Sequence, residues 1–181
     1  IDKINYLLYK KMFKGKILNM LNPTTKMKAI KNETEVLNEA KAHIKDGIAY
    51  VKFLYWFKQN ISKGITELDI ANKLLEERSK MEGFVEESFE SIVAYGSHGA
   101  IVHYSPDEAS NIELQEKSFV LIDTGAHYLE GTTDITRTLA CGKLTKEEKD
   151  NYTLVLKGNL ALGDAKFLYG FTGANLDILA R

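Results

Sequence analysis

The sequence predicts an α+β fold, a curved and mostly antiparallel sheet with helices packed on its outer face. Three observations carry that expectation. Apolar residues recur at steps of three and four behind Asn32-x-x-Glu35 and again behind Thr66-x-x-Asp69, two capping-box patterns that open amphipathic helices. The period then shortens between residues 89 and 139, where β-prone runs are separated by glycine- and proline-marked turns. Helical spacing returns after Thr145-x-x-Glu148.

Taken in order, Ile4, Leu7, Leu8 and Met12 have the spacing of a short helix, and Asn22-Pro23 marks a break after it. Residues 1–26 therefore read as the tail of a preceding unit or a linker, and residues 27–181 as one domain. The first long helix runs to about Gln59, with Leu37, Ala40, Ile44, Ile48, Val51, Leu54 and Tyr55 as its expected buried stripe. Gly64 ends the connection, and Leu68, Ala71, Leu74 and Leu75 form the expected inner face of the second helix. Phe89–Tyr95 reads as a strand, Gly96 to Gly99 as a turn, and Ile101–Tyr104 as a second short strand. Phe119–Ile122 is a continuous apolar run with the character of a strand covered on both faces, and it ends at Asp123. The β-prone stretch Thr132–Leu139 pairs with it through a turn near Glu130-Gly131. The helix behind Thr145 extends to about Phe167, and Thr172 opens a last helix cut off at Arg181.

The bulk numbers narrow the function classes. With 24 basic and 25 acidic groups, the net charge of −1 offers no general attraction for nucleic acid or membrane. Eight lysines against one aspartate make residues 1–31 basic, but no known nucleic-acid reader motif accompanies them, and a linker or solvated helix face accounts for the charge. A single cysteine, Cys141, excludes an internal disulfide and a cysteine-rich zinc site, in keeping with a reducing, cytoplasmic setting. There is no Walker or dinucleotide motif, and no apolar run of membrane-spanning length.

Asp123 and Asp134 are the residues most in need of explanation. Aspartate is poor in strands, and a carboxylate beside a buried apolar run is costly unless compensated. A turn centred between Tyr128 and Leu129 would set the two directly opposite each other, whereas one at Glu130-Gly131 would offset them diagonally. Two facing carboxylates repel, and a divalent cation between them reverses the sign. The competing reading pairs each with Arg137 or a lysine, or makes it a loop cap; spacing alone leaves both readings open. Tyr50, Phe53, Trp56 and Phe57 read as core, His43 as a surface or packing residue, His98 as loop packing with lining of the cleft as its alternative, His127 as solvent-facing, and Cys141 as strand-end packing.

The stretches Leu121-Ile122-Asp123-Thr124-Gly125-Ala126-His127-Tyr128 and Gly131-Thr132-Thr133-Asp134-Ile135-Thr136-Arg137-Thr138 resemble the signature of Xaa-Pro aminopeptidases of the long, multi-domain aminopeptidase P branch. Met27–Asn32, Ala42–Asp46, Gly99–Tyr104 and Leu156-Lys157-Gly158 agree with it. The resemblance spans about residues 27–181 and implies the first half of a pita-bread metallopeptidase fold. It implies that Asp123 binds one metal of a dinuclear site, that Asp134 bridges both, that His103 contacts substrate near the scissile bond, and that Thr136 orients the carboxylates. It implies two divalent ions, manganese in this branch, and peptides with proline at the second position as substrates. The family's other ligands, one histidine and two glutamates that include the general base, are expected after Arg181, so the chain by itself is expected to be inactive. Self-association, through sheet-edge pairing or by packing the cleft face of one copy against another, is a further expectation. The alternative is a non-catalytic pita-bread module that binds peptides or proteins.

Overall fold

A computed structural model describes residues 5–11 and 20–181. Helix α1 (Tyr6–Lys11) takes in Leu7; Ile4 and Met12, which completed its expected stripe, lie outside the described residues. Asn22-Pro23 starts a helix. The Asn22 side chain accepts from Thr24 N, and Pro23, with its fixed φ and no N–H to satisfy, opens α2 (Pro23–Ala29).

Helix α3 (Glu33–Asn60) and helix α4 (Glu67–Ser79) begin where the capping boxes predict, with reciprocal bonds between Asn32 and Glu35 and between Thr66 and Asp69. Each box satisfies amide groups that the first helical turn leaves open. Between the two helices a 3-10 turn, Ile61–Lys63, leads into Gly64 at φ 76°, a left-handed position suited to glycine.

The buried faces of both helices differ from expectation. On α3 the inner stripe is Ala42, Asp46, Ala49, Tyr50, Phe53 and Phe57, while Leu37, Ile44, Ile48, Val51 and Tyr55 are exposed. On α4 the inner stripe is Glu67, Ile70, Leu74, Glu77 and Arg78, and Leu75 is exposed. Both inner stripes carry charge because the charges meet one another. Arg78 Nε and Nη2 donate to the two oxygens of Asp46 at 2.6 and 3.1 Å, with both residues fully buried. Arg78 Nη1 donates to Thr124 Oγ1. Thr124 Oγ1 lies 2.7 Å from Ser91 Oγ, which donates to Glu87 Oε1 at 2.6 Å, while Tyr128 OH donates to Asp46 at 3.1 Å. A buried guanidinium–carboxylate pair with its remaining donors and acceptors satisfied is tolerated; a lone one is not.

The strands are β1 (Phe84–Glu87), β2 (Ile92–Tyr95), β3 (Phe119–Thr124), β4 (Ala126–Tyr128) and β5 (Ile135–Ala140). They form a two-stranded ladder β1-β4 and a three-stranded ladder β2-β3-β5, both antiparallel. β1 was absent from the sequence expectation, and Ile101–Tyr104 is a turn, not a strand. Strand β3 alternates: Val120, Ile122 and Thr124 are buried, and Phe119, Leu121 and Asp123 are half-buried. Val120 and Ile122 join Tyr50, Phe53, Phe57, Ile70 and Leu74 in the main core, and Cys141 packs there at the end of β5. A smaller cluster sets Ala42 against Ala126 and Tyr128, with Phe84 edge-on to Tyr128. The α+β expectation holds, with the sheet split in two at Gly125. Helix α5 (Lys146–Gly163) has its Thr145–Glu148 box and buries no residue; a short α6 (Gly173–Leu176) follows.

Burial has a consequence at high pH. Desolvation pushes the Cys141 thiol and the Tyr50 phenol each up to about 12, and raises Tyr128 as well, next to Asp46. The folded state thus keeps protons that the unfolded chain releases from about pH 9 for the thiol and 10 for the phenols. Stability is fully present below those values and falls as pH rises toward 12. Urea midpoints measured from pH 8 to 11.5 should decline steadily above pH 9; a flat profile would contradict this assignment.

Candidate metal centre

The loop between β3 and β5 is built by an unbroken register. Asp123 faces Thr136 and Thr124 faces Ile135. Thr133 N donates to Ala126 O, His127 bridges Thr132, and Tyr128 and Gly131 exchange backbone bonds of 2.8 and 3.2 Å. The hairpin therefore turns on Leu129-Glu130, one residue earlier than Glu130-Gly131. Helix α3 pins this turn: Lys45 Nζ donates to Glu130 at 2.6 Å and to Glu82 O at 2.8 Å, and Thr132 N donates to Glu39 at 3.3 Å.

This register puts Asp134 opposite Gly125 and hence diagonal to Asp123, on the same face of the sheet. Diagonal neighbours lie about 7–8 Å apart, less between side chains that lean together. Gly125 is required by the crowding there, since a Cβ would sit 2.1 Å from Thr133 O and 2.3 Å from Ser88 Oγ.

Asp123 occupies the central strand, flanked by Ile92 on β2 and Thr136 on β5. Thr136 Oγ1 donates to Asp123 Oδ1 at 2.6 Å, which fixes the carboxylate's rotamer. Asp134, just before β5, is exposed. Neither carboxylate makes a salt bridge among the described residues. Arg137, the neighbour that would have neutralised them, points its Nη1 at Thr136 O, 2.7 Å away. The two acids are thus held on one face without a protein cation. Such a donor set fits a hard divalent ion that prefers oxygen. The set is small: among the described residues no group of three or more His, Cys, Asp or Glu side chains is gathered for a metal.

His103 is exposed at the third position of the turn Ile101–Tyr104, with φ 58°. The 3-10 turn before it, Gly96–Ala100, packs against β2 and β3. His43 is exposed on α3, its Nδ1 2.9 Å from Glu39 O. His127 is half-buried, with Nδ1 2.8 Å from Thr132 Oγ1. His98 is tied to a buried carboxylate, Glu67, through Nδ1 contacts of 2.9 and 3.1 Å. Sequence reasoning passed over Glu67, Asp46 and Arg78. Nothing in their spacing distinguishes an inward-facing charge from a solvated one.

Two capped helices back an antiparallel hairpin that carries two carboxylates on one face without a protein counter-charge. The chain belongs to metallopeptidase family M24, whose family model matches residues 19–181. It is 40% identical over 168 residues to a probable Xaa-Pro aminopeptidase P of Arthroderma gypseum, covering 91% of this chain and 26% of that protein. It is likewise 40% identical over 179 residues to Xaa-Pro aminopeptidase 1 of Dictyostelium discoideum, covering 96% of this chain and 28% of the relative. The chain thus spans about a quarter of the length of these curated relatives. Among solved structures, the X-prolyl aminopeptidase of Caenorhabditis elegans, described as a cytosolic enzyme with a di-nuclear active site, superposes with a TM-score of 0.81 at 39% identity, over 88% of this chain and 26% of that one. The Xaa-Pro dipeptidase of Bacillus anthracis superposes at 0.78 with 28% identity, over 99% of this chain and 49% of that one. These neighbours share the pita-bread fold, of which this α+β unit is the first half.

Proposed function

We propose that this chain is the amino-terminal part of the catalytic domain of a cytoplasmic, metal-dependent aminopeptidase that removes the N-terminal residue from peptides with proline in second place. The observation that carries the proposal is the pair Asp123 and Asp134, on one face and without a protein counter-charge. In this reading residues 1–26 form a tail or linker and residues 27–181 the catalytic unit. Asp123 and Asp134 hold two divalent ions, manganese by preference, with Thr136 keeping Asp123 in its binding rotamer. When bound, such ions polarise the peptide carbonyl and lower the pKa of bound water. His103, on its projecting turn, contacts the substrate near the scissile bond. The half-buried position of Asp123, beside Ile92, limits water around the carboxylate and strengthens its pull on a cation.

Two carboxylates hold a divalent ion weakly, so the 181-residue chain alone should bind Mn²⁺ with a Kd above about 1 μM, corresponding to less than roughly 8 kcal/mol. It should also show no peptide turnover. The product of the complete gene should hydrolyse Xaa-Pro peptides when supplied with Mn²⁺. Calorimetry and a peptide-release assay on both proteins test this. Submicromolar binding by the 181-residue chain, or an inert complete product, would overturn it.

Self-association is the second part of the proposal. Leu37, Ile44, Ile48, Val51 and Tyr55 form one exposed face of α3, with Val51 65% and Tyr55 71% accessible. One edge of β5 pairs with no strand among the described residues. Apolar faces and open edges both favour association. Sedimentation equilibrium at micromolar concentration should give a mass above the 20.4 kDa of one chain. A monomer that melts cooperatively would refute it.

A further inference from the structure

The side chain of Glu67 lies at the first position of α4 and is fully buried. Three donors surround it. Tyr95 N donates to Oε1 at 2.7 Å, Tyr104 OH donates to Oε2 at 2.8 Å, and His98 Nδ1 lies 2.9 and 3.1 Å from the two oxygens. A buried carboxylate of this kind is costly unless it is fully partnered, and here every partner comes from one strap of chain, Tyr95 to Tyr104. The strap is also closed on itself. The rings of His98 and Tyr104 lie 4.4 Å apart at 35°, and Ile101 N donates to His98 O at 2.9 Å. Tyr104 N then donates to Ile101 O at 3.2 Å, forming a four-residue turn.

Only the tip of this turn, Ile101, Val102 and His103, is exposed. His103 sits at its third position with φ 58°, the left-handed conformation that a type II turn demands there. A non-glycine residue holds that conformation when its flanks over-determine it. The flanks are His98 on one side and Tyr104 on the other, and both end on Glu67.

We propose that Glu67, His98 and Tyr104 form a clamp that sets the direction in which His103 projects. Glu67 and His98 are then positioning residues, acting on substrate through His103. This rests on the reading of His103 as a substrate-contacting group, but the clamp is testable without catalysis. A pre-set imidazole meets substrate without first being ordered, and that is the benefit of rigid support around a contacting group.

The test is NMR of the histidine imidazoles and of the His103 amide in the ¹⁵N-labelled 181-residue chain, at a temperature well below the melt. Wild type should show one sharp set of His103 signals. His98→Asn and Glu67→Gln should replace it with shifted, exchange-broadened signals, while His43 and His127 stay in place. Tyr104→Phe, which keeps the ring contact but loses one bond to Glu67, should fall between. Leu74→Ala removes core packing from α4 without touching the clamp and should leave His103 unchanged. The proposal is overturned if His103 keeps its wild-type signals in folded His98→Asn, or if Leu74→Ala moves them equally. Should Glu67→Gln fail to fold, His98→Asn decides alone. Loss of peptide hydrolysis plays no part in this readout, so a failed clamp and a failed peptidase assignment remain distinguishable.

Discussion

Replacing Arg78 by methionine is expected to lower folding stability by about 3–5 kcal/mol, a large part of what a domain of this size has. Methionine fills much of the space but leaves Asp46 fully buried and without its bidentate partner. The loss extends further, because Arg78 also donates to Thr124, and Thr124 is bonded through Ser91 to Glu87. Those links join α3, α4 and both ladders, so the damage should be global and not confined to α4. Asp46→Leu should be comparably harmful, since it strands the guanidinium. The double variant Asp46→Leu with Arg78→Met should recover a substantial part, because removing both charges costs less than leaving either one alone. Urea denaturation of the four proteins measures the cycle directly. A loss below about 1 kcal/mol for Arg78→Met would mean that the buried pair is not holding the layers together.

The second large effect is on the proposed chemistry. In the product of the complete gene, Asp123→Asn and Asp134→Asn should each lower kcat/KM by on the order of 10²–10³-fold, the range seen when one charge-stabilising group is removed at a reacting centre. Asparagine preserves size and one acceptor oxygen but removes the charge that attracts a cation. Thr136→Val should cost less, about 10–100-fold, because it loosens Asp123 without removing it. The ordering matters more than any one value, since Thr136 acts only through its 2.6 Å bond to Asp123. In a Thr136→Val, Asp123→Asn double variant the valine should therefore add little. Equal effects for Thr136 and the two acids, or additive losses in the double variant, would contradict this arrangement. Far-UV circular dichroism and melting of each variant separate the chemical effect from unfolding.

Several features are legible in the chain alone. Capping is local, so Asn32 with Glu35, Thr66 with Asp69 and Thr145 with Glu148 marked three helix starts correctly. The anomaly of two aspartates in strand context was also local, and it singled out the hairpin while leaving open whether the two lie directly opposite or diagonal. The sequence points one residue too far along, to Glu130-Gly131, because Leu129-Glu130 lacks the glycine or asparagine that usually marks a tight hairpin. Tertiary contacts hold it instead, through Lys45 on Glu130 and Glu39 on Thr132 N.

The sequence by itself determined the class of fold, the starts of the principal helices, the candidate acids and the kinship with the aminopeptidases. Tertiary structure decided which way the helices face. Helix α3 carries two apolar stripes, and the one free of charge is the one left exposed. Asp46 could turn inward only because Arg78, thirty-two residues away, turned inward to meet it. Glu67 could do so only because Tyr95, His98 and Tyr104 converge on it. Periodicity treats a charge as a mark of solvent, and a buried charge obeys instead the partners that folding brings to it. The same rule governs Ile101–Tyr104, whose β-prone residues have no strand to pair with and are drawn into a turn by the buried carboxylate behind them.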